Sequence, residues 1–315
     1  MNIVSLNTIE LGGGVSYRLC EAINKLTDHH ALSIALRPTR WKLPSHIKVF
    51  EEGFDRVPQL IKNADVLHFN GYPQQIDFFK VNPEDCRDKT VVWTCQGGQQ
   101  QRRKPGKSTK LYREKFPHIR FVVATPDLTM LPPLSDAPWM PSIAPTEEYR
   151  EKYDITRNDP PKICHTSTVP RRRNVLRQAI NELKQENHLF VYSRWHSLPH
   201  EKSLELMSGY DVLLNFRWWC HFYGVTAQEA ATFEMPVIST TSDYTENYLR
   251  EHDIQCPFGF VNLKDKPWVE AIKKMLIPLI EDKDLREKSG KANYEYVKKM
   301  HSPEVAVRKY LEVIE

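Results

Sequence analysis

Short apolar runs recur along the whole chain, and stretches with helical patterning separate nearly all of them. Ile3–Leu6, Ala31–Leu36, Ile47–Phe50, Val66–Phe69, Thr90–Thr94 and Phe121–Ala124 read as strands. Helices are expected across Ser16–Leu26, Val57–Lys62 and Ser108–Lys115. Strands that are apolar along their entire length, rather than at alternate positions, are buried on both faces. That is the signature of a parallel sheet covered by helices. The first half is therefore expected to be an open α/β sheet with helices on both sides.

Proline then breaks the rhythm, from Leu131-Pro132-Pro133 through Pro138, Pro141 and Pro145. Proline removes a ladder donor and stiffens the chain, so this stretch is read as a linker. A second series follows, with strands at Lys162–His165, Leu189–Ser193, Val212–Phe216, Pro236–Ser239 and Gly259–Val261. Helices are expected at Asn174–Gln185, Pro199–Ser208, Gly224–Phe233, Tyr244–Glu251 and across Trp268–Glu315. The 315 residues suit two domains of roughly 150 residues each. The expected division is 1–143 and 144–301, with a terminal helix near 302–315 free to pack back on the first domain.

Composition narrows the class. Hydrophobic residues make up 40% and charged residues 27%, as in ordinary soluble proteins. No apolar run is long enough to span a bilayer, and the N-terminus reads directly as a strand rather than a leader. Six cysteines stand singly, without metal-ligand or redox spacing, which fits a reducing compartment. A cytoplasmic protein is expected.

The segment from His221 to Ser239, His-Phe-Tyr-Gly-Val-Thr-Ala-Gln-Glu-Ala-Ala-Thr-Phe-Glu-Met-Pro-Val-Ile-Ser, carries the most chemistry. It reads as a strand end, a glycine turn at Gly224, a helix from Val225, and a short buried strand. Helix-start amides favour anionic groups. Glu229, about one and a half turns in, could accept hydrogen bonds from the vicinal hydroxyls of a ribose. The other reading is a helix that only packs and exposes Glu229.

This segment resembles the signature of the large retaining GT-B glycosyltransferase superfamily. The resemblance implies two Rossmann-like domains facing each other across a cleft, and transfer of a sugar from a nucleotide diphosphate, UDP foremost. It assigns Glu229 to the donor ribose and Phe222, Tyr223, Gly224 and Val225 to the donor. At the position of the family's sugar-contacting acidic residue stands His221, which weakens the inheritance of a retaining outcome. An imidazole cannot accept from sugar hydroxyls as a carboxylate does, but it can face the diphosphate.

Further resemblances extend over most of the chain. Gly13 and Gly14, after the first strand, match a glycine loop near the donor. His68 ends a strand toward a polar turn and is either an acceptor-side catalytic group or a satisfied structural histidine. Gln96 stands where the family often has histidine, so any role there is binding. After Ile163–Thr168 come Arg171, Arg172 and Arg173, of which Arg172 and Arg173 are assigned to the diphosphate. Trp195 falls in the nucleobase loop and either stacks on the base or packs on the domain. No Asp-x-Asp motif stands in a suitable turn, so no metal and no cofactor beyond the nucleotide sugar are expected.

Between Arg102 and Lys115 lie seven basic residues against one acidic. Arg102, Arg103, Lys104 and Lys107 are read as acceptor contacts, with a solvated helix face as the bland alternative. A glycan or envelope precursor is the first acceptor expected. DNA carrying a hydroxylated base is the second, with Trp93 or Tyr72 available to receive a flipped base. A catalytically inactive relative that only binds a nucleotide sugar, a two-lobed solute-binding protein and a sugar epimerase are the remaining alternatives.

Overall fold

The computed structural model describes all residues except 10–13, 39–41, 72–74, 97–104, 167–172, 196–197, 217–221 and 263. The chain divides into two compact units, Met1–Ile143 with Pro303–Glu315, and Ala144–Ser302.

In the first unit, β1 (Asn2–Ile9), β2 (His30–Arg37), β3 (Ile47–Lys48), β4 (Val66–Asn70), β5 (Thr90–Cys95) and β6 (Arg120–Val123) form one sheet. All pairings are parallel, in the order β3-β2-β1-β4-β5-β6. The helices are α1 (Val15–Leu26), α2 (Val49–Glu52), α3 (Val57–Asn63), α4 (Gln75–Phe78) and α5 (Pro105–Lys115). The order reverses between β1 and β4, which places a topological switch point at the carboxyl ends of those two strands. The strand expected at Ile47–Phe50 shrinks to two residues and turns into α2, because only Ile47 and Lys48 find a neighbour at the sheet edge.

The proline-rich stretch is not a free linker. Val123 bridges Trp139, and Leu134, Trp139, Met140 and Ile143 are buried in the first unit. Here proline starts short 3-10 turns at Pro126–Met130 and Pro132–Leu134, leaving the apolar residues between them to pack.

In the second unit, α6 (Thr146–Lys152) precedes β7 (Lys162–Thr166), and α7 (Arg173–Gln185) leads to β8 (Val191–Trp195). Then follow α8 (His200–Met207), β9 (Val212–Asn215), α9 (Val225–Thr232), β10 (Val237–Thr241), α10 (Asp243–Glu251), β11 (Gly259–Asn262), α11 (Trp268–Glu281) and α12 (Lys283–Met300). The sheet is again parallel, ordered β11-β10-β9-β7-β8, with its switch point between β7 and β9. The last helix, α13 (Pro303–Ile314), belongs to the first unit. Its Ala306, Val307, Tyr310 and Ile314 pack with Leu19 and Ile23 of α1 and with Ile3, Val66 and Val92 of the sheet.

One glycine sets the position of α9. A Cβ at Gly290 of α12 would lie 1.9 Å from the carbonyl oxygen of Glu234, in the turn that ends α9. Glycine lets the two backbones meet there. Asn293 of α12 also donates to Met235 O at 3.0 Å. On another side of the turn Arg150 holds Glu234 at 2.7 Å, while Arg157 donates to Phe233 O.

Candidate functional site

Helix α9 is short, alanine-rich and almost entirely buried, from Ala227 to Thr232. Small side chains let it lie close to α12 while carrying two polar residues, Gln228 and Glu229, inward. Glu229 is only 5% exposed, so it is not the solvent-facing carboxylate of the bland reading. Its Oε1 lies 2.6 Å from Nε2 of His200, the first residue of α8. An ionised carboxylate only accepts, so in this contact the imidazole Nε2–H donates.

The start of α9 has no side-chain cap. Gly224 is its N-cap, with φ −125° and ψ −172°, which is extended backbone open to any residue. The expected tight glycine turn is therefore corrected, and no left-handed conformation demands glycine here. Phe222 and Tyr223 are corrected too, because both side chains are buried. Tyr223 places its hydroxyl 2.6 Å from that of Tyr296 and 2.9 Å from His301 Nε2. Phe222 packs on Tyr223 and Phe260. These rings anchor the turn, so what Phe222, Tyr223 and Gly224 can offer a ligand is backbone, while Val225 is half-buried.

The first part of the expected nucleobase loop, Tyr192 to Trp195, is strand rather than loop, since β8 runs to Trp195. Trp195 donates its indole N–H to Ser203 Oγ at 3.2 Å and packs on Tyr210 at 5.0 Å between ring centroids. It takes the packing position of the two that the sequence allows. Beside it, Arg194 pairs in register with His165 at the end of β7. Arg173 is the first residue of α7. Arg172, Gly13, His221, Arg102, Arg103, Lys104 and Tyr72 lie outside the described residues.

In the first unit, Gly14 is the N-cap of α1 at φ +78°, a left-handed conformation that favours glycine. At the adjoining switch point a buried polar network replaces the apolar core. Ser5 Oγ and Ser16 Oγ are 2.6 Å apart, and Asn7 donates to Ser16 Oγ at 3.0 Å. Asn70 donates to Ser5 Oγ at 2.8 Å, Gln75 donates to Asn70 O, and Gln96 donates to Asn70 Oδ1 at 3.2 Å. Gln96 is thus held as a structural member of the strand ends as well as being partly exposed.

His68 is a correction. It sits in the middle of β4, 1% exposed, with Nε2 2.6 Å from Thr94 Oγ1 and its ring on Tyr310 of α13. Burial pushes its pKa down to about 3, so it stays neutral and cannot meet an acceptor. Trp93 likewise cannot receive a flipped base. It is fully buried, donating to Gly71 O at 2.7 Å and packing on Tyr112 and Phe121.

Of the basic run, Lys107 and Lys110 on α5 are exposed. Lys110 approaches Glu114 at 3.7 Å, Lys115 pairs with Asp77 at 2.9 Å, and Arg113 covers the Phe121 ring. The charge on this helix is partly met within the unit.

The sequence matches no protein-family model and no curated protein. The architecture matches many solved structures. An α-glucosyltransferase solved with UDP and a 13-mer DNA containing a central A:G mismatch aligns with a TM-score of 0.68 at 12% identity, covering 100% of this chain and 99% of that one. HepE of Anabaena in complex with UDP and glucose gives 0.69 at 9% identity, over 99% and 98% of the two chains. A glycosyltransferase of Rickettsia africae gives 0.65 at 12%, over 99% and 97%. The fold is GT-B. At these identities the likeness is one of fold, and the side chains that fill this GT-B frame are the chain's own. Among the described residues, no helix is long and apolar enough to cross a membrane.

Residues that sequence reading does not find are His200, Arg194 and the Asn7, Asn70 and Gln75 amides. His200 meets Glu229 from 29 positions away, on a different helix. Asparagines late in strands and a glutamine at a helix start carry no spacing pattern that would single them out.

Proposed function

We propose that this chain is a glycosyltransferase that takes a sugar from a nucleoside diphosphate, UDP foremost, held by the second unit. The observation that carries the reading is Glu229: a buried carboxylate, oriented by His200, just behind a helix start with no side-chain cap. A carboxylate there accepts from ribose hydroxyls, and uncapped amides suit the diphosphate. The UDP found in several GT-B neighbours supports this reading.

In the reaction, the bond between the anomeric carbon and the diphosphate oxygen breaks, and the acceptor hydroxyl oxygen bonds to that carbon. The hydroxyl proton passes to the departing phosphate or to water. Negative charge grows on the leaving group, so pre-aimed donors and arginines lower the barrier, each by about 3–4 kcal/mol. Arg172 and Arg173 are assigned to this role, His221 to the neighbourhood of the diphosphate, and no metal or cofactor is required. The acceptor is a hydroxyl of a glycan or an envelope precursor.

A second acceptor reading is DNA bearing a hydroxylated base. The exposed lysines of α5 favour it, as does the neighbour solved with DNA. The test is incubation with a panel of nucleotide sugars, followed by detection of released nucleoside diphosphate and then of transfer to glycan or hydroxymethylated DNA. Release of UDP that Glu229→Ala slows markedly supports the proposal. Binding without any turnover indicates an inactive nucleotide-sugar binder instead.

A further inference from the structure

Arg194 stands one residue from the end of β8, the edge strand that pairs with β7, and β7 borders the switch point of the second sheet. Alternate residues of a strand share a face. Tyr192, two positions earlier, packs with Val175 against the core that holds Ile163 and Leu176, so Arg194 is directed to that same face. Its register partner His165, two positions after Ile163, is on this face as well and is buried.

The guanidinium is unusual in being unmet. Nε and Nη2 of Arg194 are both buried and neither has a hydrogen-bond partner. No carboxylate among the described residues pairs with it, although arginines elsewhere in the unit are bound, as Arg150 is to Glu234. Buried polar groups are almost always paired, and an unpaired buried cation costs more than a neutral donor. Nε and an Nη together form the edge of the guanidinium fork that matches two oxygens of one phosphate. Ligands of open parallel sheets bind near the carboxyl ends of the strands, and Arg194 is the penultimate residue of its strand.

We propose that Arg194 is a phosphate-binding residue of the second unit, its unmet Nε and Nη2 being satisfied by phosphate oxygens of the donor's diphosphate. The proposal rests on the nucleotide-sugar reading for the identity of the ligand. It adds to Arg172 and Arg173 an arginine that lies on a strand.

The experiment compares wild type with Arg194→Met and Arg194→Lys, measuring the thermal midpoint of the ligand-free protein and the affinities for UDP, inorganic pyrophosphate and uridine. Removing an unmet charge relieves the empty protein, so Arg194→Met is expected to melt no lower than wild type. It is expected to bind UDP and pyrophosphate roughly ten- to a hundredfold more weakly, with uridine unchanged. Arg194→Lys, which keeps the charge without the fork, is expected to fall between them, and it carries the comparison if Arg194→Met does not fold. A lower melting point with UDP and pyrophosphate affinities within twofold of wild type overturns the proposal and makes Arg194 structural. If wild type binds no nucleoside diphosphate, the donor reading fails. The pyrophosphate arm then decides Arg194 alone: binding lost in the variants sustains an anion site, and no binding overturns it.

Discussion

Glu229 Oε1 and His200 Nε2 lie 2.6 Å apart, joining the middle of α9 to the first residue of α8. The contact fixes the direction of a carboxylate that is otherwise enclosed, and it links the helix after β9 to the connection after β8. If this carboxylate grips ribose, then His200 acts on nucleotide binding through Glu229. His200→Leu should weaken UDP by roughly tenfold while changing 2′-deoxy-UDP much less. His200→Gln, which keeps a donor N–H, should recover part of the loss. Isothermal titration with the two nucleotides checks it, since a merely structural histidine would lower both affinities alike.

Gly290 should be intolerant of any side chain. Alanine normally improves a helix interior by about 1 kcal/mol over glycine. Here its Cβ would fall 1.9 Å from the Glu234 carbonyl oxygen, and backbone on both sides must shift. Overpacking of this kind costs about 1–3 kcal/mol, so the clash outweighs the propensity. Gly290→Ala is expected to lower the midpoint of chemical denaturation, and an unchanged or higher midpoint would contradict the packing described for α9 and α12.

His68 should make the first unit acid-sensitive. Its pKa falls from an ordinary value of 6.5 to about 3 on burial. The unfolded chain therefore binds the extra proton between those values, and stability rises with pH across that window. The contribution is whole above about pH 6.5 and is lost progressively as pH falls toward 3. The loss approaches about 5 kcal/mol at the acid end. His68→Gln should flatten the fall in melting temperature between pH 6 and 4. A variant with the wild-type acid profile would show that other groups govern it.

Lys107 and Lys110 face solvent on α5. If the acceptor is DNA, Lys107→Glu with Lys110→Glu should weaken retention on duplex DNA and make the slope of affinity against salt shallower by about two. UDP affinity should not change. If transfer to a glycan is observed and the double variant performs it normally, the basic run is a solvated face.

The parallel α/β character was readable because fully apolar runs of the kind at Val66–Phe69 and Val212–Phe216 have one stable home, a strand covered on both sides. Boundaries were less readable. Ile47–Phe50 looked like its neighbours but lies where the sheet ends, and proline near Trp139 looked like a linker because its partner, Val123, is set by tertiary packing. In the candidate site, the helix after Gly224 was visible from its pattern, whereas the inward turn of Tyr223 depends on Tyr296 and His301, more than seventy positions away. Trp195 and His68 carry chemistry that suits a site, and only their surroundings show that packing absorbs them. Arg194 is the reverse case. What marks it is the absence of a partner, and no sequence pattern records an absence.

Whether Glu229 engages the donor nucleotide decides the functional reading, and UDP release from UDP-sugars by wild type and Glu229→Ala under identical conditions answers it. Wild type is expected to release UDP measurably from at least one UDP-sugar. Glu229→Ala is expected to bind UDP roughly ten- to a hundredfold more weakly and to release it correspondingly more slowly from the sugar donor. Equal affinity and equal release in the two proteins would remove Glu229 from the donor site, and the transferase reading with it.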